Sequence, residues 1–79
     1  MGSFDEEREL LWLSVRQLKR QRCLPAIREA RQLLLVWLKQ HPDDYATLDV
    51  NHELIRMEGA IEIIEAEKAA AKAVDLVAA

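Results

Sequence analysis

The chain has 79 residues, one cysteine, two histidines and a formal net charge of −3, with an isoelectric point near 5.3. So short a chain makes at most one domain and buries only about 60% of its unfolded surface. The single thiol, Cys23, excludes an internal disulfide, and the acidic balance argues against the clustered basic face of a nucleic-acid binder.

Small domains gain stability from disulfides, metals or association. Two histidines and one cysteine are a thin inventory for a metal site, so association is the remaining route. An unpaired thiol suits a reducing compartment. The amino-terminal stretch MGSFDEEREL is acidic and polar, unlike a secretory segment. Glu6 stands where a myristoylation pattern wants serine or threonine. No apolar run approaches the roughly 20 residues of a membrane span. A soluble cytoplasmic protein with no membrane partner is therefore expected.

Two glycines and two prolines punctuate a sequence dominated by Ala, Leu, Glu, Gln, Lys and Arg, which is helix composition. The first helix is predicted from about Phe4 to Arg22. Ser3 suits its N-cap, and Glu6 three residues later completes a capping box. Asp5, Glu6 and Glu7 oppose the positive helix end, and Lys19, Arg20 and Arg22 the negative one. Leu11, Val15 and Leu18 form the inward stripe, flanked by Leu10 and Trp12.

The break is Arg22 to Pro25, and Pro25 fits the first turn of a new helix. The second helix is predicted over about 25–40. Ile27, Ala30, Leu34 and Trp37 make one seam. Leu33, Val36 and Leu38 widen it, and Leu35 lies toward the opposite side. Its second half is thus apolar nearly all round. Pro42 disfavours helical geometry at His41 and ends the helix. His41 reads as a capping residue.

The third helix is predicted over about 44–77, capped by Asp43 or Asp44. Val50, Leu54, Met57, Ile61 and Ile64 repeat at the spacing of a coiled coil. Leu48, Ile55 and Ile63 broaden the stripe. Beyond Ile64 a narrower band of Ala66, Ala69, Ala70, Ala73 and Val77 takes over. Gly59 has no turn-forming neighbour, so a continuous helix is predicted, with Gly59 at a bend or close helix crossing. The fold class expected is all-α: an antiparallel three-helix bundle with the second helix central and the third overlong.

No constellation supports catalysis. His52 and Glu53 open an HExxH pattern, but Arg56 occupies the second ligand position. Glu58, Glu62 and Glu65 share a helix face without the Glu-x-x-His pairs of carboxylate-bridged metal sites; a solvated acidic face is the simpler reading. Cys23 has cations nearby but no placed base. No enzyme activity, cofactor or metal is expected, and Trp12 and Trp37 read as core or interface anchors.

The stretch RQLKRQRCLPAIREARQLLLVWLKQHPDD holds a helix, a tight basic turn, then Ala26, Ala30, Leu34 and the closing Pro42-Asp43-Asp44. In these features Arg8 to Asp44, about half the chain, resembles one tetratricopeptide-type helical hairpin. Its turn lacks the usual glycine, its second helix is longer, and no second copy follows. The resemblance implies protein–protein binding and no particular binding residues.

Three functions follow in descending order. The first is a structural or interaction module that self-associates, most simply as a two-fold dimer. Its interface is expected at Leu33, Leu35, Val36 and Trp37 and along Ala66, Ala69, Ala70, Ala73 and Val77. The second is a small acidic adaptor or accessory subunit of a larger complex, such as one of a phage or mobile element, with an unidentified protein partner. The third is a dimeric nucleic-acid binder using Arg16, Lys19, Arg20 and Arg31, disfavoured by the overall acidity.

Overall fold

The computed structural model describes the backbone of residues 3–78 and the side chains of residues 3–73. The chain is all-α, three helices in an antiparallel bundle: α1 (Phe4–Arg20), α2 (Leu24–Gln40) and α3 (Tyr45–Ala78). Helix α2 is central and packs against both others.

Helix α1 starts as its capping residues dictate. The Ser3 hydroxyl accepts a 3.2 Å hydrogen bond from the Glu6 amide, which removes one of the unpaired donors of the first turn. The helix stops two residues earlier than its sequence suggests. Gln21 caps it, and Arg22 takes a left-handed conformation with φ of 49°. That conformation reverses the chain, and its amide reaches the Lys19 carbonyl at 3.2 Å. Glycine is the residue that enters this region without cost.

Helix α2 begins after Cys23, an N-cap whose side chain makes no capping bond, with Pro25 in the first turn. It ends at His41, whose amide still donates to the Trp37 carbonyl at 2.8 Å. Helix α3 has 34 residues against 17 for each of the others. At 1.5 Å per residue it is about 50 Å long and its neighbours about 25 Å. It runs unbroken through Gly59. A β-carbon placed on Gly59 would meet nothing within 4 Å, so among the described residues no helix crosses closely there.

The core is Val15 from α1, Ile27, Ala30 and Leu34 from α2, and Leu54 from α3. Leu11, Leu18, Val50, Met57 and Ile61 pack around it. The predicted α2 seam is therefore the buried seam. The α3 seam holds only as far as Ile61; Ile64 is 49% exposed. Leu10 faces outward, at 65% exposure, because α2 contacts only the Leu11–Val15–Leu18 stripe. Helix α3 has outrun its partners by then, and residues 62–73 are exposed throughout.

Candidate interaction surfaces

Any surface of this bundle depends on what holds the helices in register, and that is a polar clamp at the α2–α3 link. Asp44 caps α3: its Oδ1 accepts from the Thr47 amide at 3.3 Å. The Thr47 hydroxyl donates to Asp44 Oδ2 at 2.7 Å and accepts the Trp12 indole N–H at 3.0 Å. The Trp37 indole donates to the same Oδ2 at 2.9 Å. The Arg8 guanidinium reaches Oδ1 at 3.4 Å. One carboxylate and one hydroxyl thus tie α1, α2 and α3 together. Asp44 and Thr47 are both buried, a placement tolerated because the charge is paired and hydrogen-bonded. Burial alone pushes the Asp44 carboxyl up. The Thr47 and Trp37 hydrogen bonds and the Arg8 charge outweigh it, and the group titrates below the ordinary 3.8.

Aromatic packing closes this end. Trp37 and His41 stack with ring centroids 4.1 Å apart, and Phe4 lies 5.3 Å and 5.0 Å from them. Arg8 sits over Trp12 at 4.9 Å and over Phe4 at 5.3 Å. Trp37 is consequently a core residue at 9% exposure, not a surface anchor. His41 acts both as cap and as part of this stack.

The acidic face of α3 is solvated only in part: Glu62 and Glu65 are exposed, whereas Glu58 is drawn into the α2–α3 contact. Arg31 donates to Glu58 at 2.8 Å and 2.9 Å, and Arg28 reaches Glu62 at 3.2 Å. Glu58 is only 13% exposed. These carboxylates neutralise cations on α2. Among the described residues no three His, Cys, Asp or Glu side chains converge as a metal site needs.

What remains open is apolar. Val36 is 61% exposed, Leu35 44% and Leu33 38%. They leave α2 on two flanks. Leu35 stands four and seven residues beyond Arg31 and Arg28, so it shares the flank of their ion pairs with α3. Leu33 and Val36 share the other. On α3, Ile55 lies three and seven residues before Glu58 and Glu62, and Ala66, Ala69 and Ala73 follow Glu62 by four, seven and eleven. By spacing, Leu35, Ile55 and these alanines fall on one flank of the α2–α3 pair, with the Arg31–Glu58 and Arg28–Glu62 ion pairs between the two apolar stretches. Ala70 and Ile63, both exposed, border it. Val77 lies outside the described side chains.

A second surface is a groove of about 850 Å³ between the α1–α2 turn and α3. Met57, Ala60, Ile61 and Ile64 line its floor, and Arg16, Arg20, Arg22 and Lys68 stand around it. Nothing in the residue spacing exposed this groove, because it forms only where α1 stops and α3 continues.

No described helix is long and apolar enough to cross a membrane. Comparison with protein-family models, curated proteins and solved structures returned no match.

Proposed function

We propose that the protein is a non-enzymatic interaction module that self-associates through α2 and α3. The observation that carries this is the unpartnered length of α3. Its apolar seam is used by the chain only to Ile61, yet Ile63, Ile64 and the alanine band stand exposed beyond it. Against a second copy, the Leu35–Ile55 flank and the Ala66–Ala69–Ala73 band would form one interface. The alanines permit close helix approach, and the flank is already neutralised by the Arg31–Glu58 and Arg28–Glu62 pairs. Gly59 lies between Ile55 and Ile63, where a small residue suits a close crossing. A two-fold dimer is the simplest arrangement. The hairpin of α1 and α2, with its tetratricopeptide-like features, fits the same interaction role.

Light scattering on the purified chain tests this. The expected mass is twice the 9.1 kDa of one chain. Leu35→Asp with Ile55→Asp should return it to a monomer while its helical circular dichroism persists. A monodisperse monomer at micromolar concentration for the parent chain overturns the reading. It would favour the adaptor reading instead, in which the same flank awaits a different protein.

A further inference from the structure

The basic groove lies on the other flank of α3 and has a separate use. We propose that it docks an acidic amphipathic helix of a partner protein. Three observations converge on that occupant.

The first is charge. The chain carries −3 overall, yet four cations gather at this one groove, with Glu65 the single carboxylate among its lining residues. Lys19 also lines it but is tied to Glu53. Among the described residues, Arg16, Arg20, Arg22 and Lys68 have no carboxylate within ion-pair distance. They are not spent on the fold, as Arg8, Arg28 and Arg31 are.

The second is the floor. Met57, Ile61 and Ile64 follow the three-and-four spacing of a helix ridge, against which another helix packs. From Met57 to Lys68 the groove runs about 16 Å along α3, three helical turns. Ile64, at 49% exposure, is the most exposed of the large apolar side chains on this floor.

The third is position. Helix α1 ends at Arg20 while α3 continues for many turns. A docked helix would extend the row that α1 leaves, burying its apolar face on Ile61 and Ile64 and its carboxylates against the arginines. The groove lacks an aromatic platform for bases, which single-stranded nucleic acid would use. A second copy presenting the same groove would set cations against cations, so the occupant is not this surface itself. The proposal uses a surface distinct from the self-association flank and stands without it.

The test uses three labelled 14-residue helical peptides sharing one leucine stripe, flanked by Glu, by Gln or by Lys. Fluorescence anisotropy is read with the full chain, with Arg16→Glu/Arg20→Glu and with Ile64→Asp. The parent chain should bind them in the order Glu, Gln, Lys, with roughly tenfold between the extremes, the size expected of a few exposed ion pairs. The charge-reversed variant should invert that order, and Ile64→Asp should weaken all three. Circular dichroism establishes that each variant is folded, and if Ile64→Asp is not, Ile64→Ser replaces it. Equal binding of the three peptides, an order unchanged by charge reversal, or no binding below millimolar concentration overturns the proposal. Tighter binding of a duplex DNA than of the Glu peptide overturns it as well. The oligomer mass from light scattering is unaffected by these outcomes, so the two readings fail separately.

Discussion

Replacing Asp44 by asparagine probes the clamp with almost no change in shape. The carboxylate accepts from the Trp37 indole, the Thr47 hydroxyl, the Thr47 amide and Arg8. An amide keeps one oxygen, and its NH2 must then face a donor. If the oxygen serves Thr47 N–H, the NH2 opposes the Trp37 indole and the Thr47 hydroxyl. Hydrogen bonds to a charged group contribute about 1.5–3 kcal/mol each, and a buried donor left unpaired costs about 1–3 kcal/mol. Losing the equivalent of one such bond and opposing one indole gives a destabilisation of about 3 kcal/mol. A 79-residue domain has roughly 4–12 kcal/mol in total, so the midpoint temperature should fall by more than about 10 °C. Urea unfolding followed at once by circular dichroism and tryptophan emission measures it, since both indoles donate into this cluster. The pH dependence supplies a second check. The native Asp44 titrates below its ordinary 3.8, so its contribution is present above the unfolded-state value and is lost as pH falls through the native one. The parent chain should lose its advantage over Asp44→Asn below about pH 4, the ordinary aspartate range. A loss under about 0.5 kcal/mol at neutral pH, the size of an ordinary surface substitution, refutes this account of the clamp.

Arg22→Gly should stabilise the chain by about 0.5–1 kcal/mol, because a left-handed arginine costs more than glycine's extra unfolded-state freedom; a lower urea midpoint would contradict it. Gly59→Ala should add about 1 kcal/mol in dilute, monomeric conditions, since open space surrounds the position. If Gly59 marks the crossing of two copies, the same change should lower the dimer fraction in light scattering. Leu54→Ala removes a fully buried side chain and should cost about 2–5 kcal/mol, seen as a large drop in the urea midpoint at unchanged slope.

Periodicity made the helices and their inner seams legible. Ile27, Ala30, Leu34 and Trp37 recur at helical spacing on α2, and a three-helix core has only one place for such a seam. The Ser3 cap was equally plain, because its side chain satisfies an amide a fixed distance along the chain, whereas Asp43 and Asp44 both suited the start of α3 and only the structure selects Asp44. The Arg22 turn was harder to read. Its left-handed backbone follows from tertiary closure of α1 on α2, and arginine carries no local signal for it. Thr47 and Asn51 are buried polar residues on the α3 seam, where an apolar template counts only loose boundary residues. The clamp joins positions 35 and 36 residues apart, and no local pattern encodes such a pairing. Trp37 fitted both that inner seam and an interface, and spacing alone could not choose; Phe4, His41 and Asp44 close around it and decide for the core. The groove escaped notice because it is a gap left by unequal helix lengths.

The two connections are short, and each helix packs chiefly on its neighbour in sequence. Chains with such local topology fold within about microseconds to milliseconds, since little loop entropy must be surrendered before packing begins. The α1–α3 bridges through Arg8 and Trp12 close the longest loops, so they should form after the hairpins. Damage to them would then show in how soon the folded chain comes apart, and hardly at all in how fast it assembles.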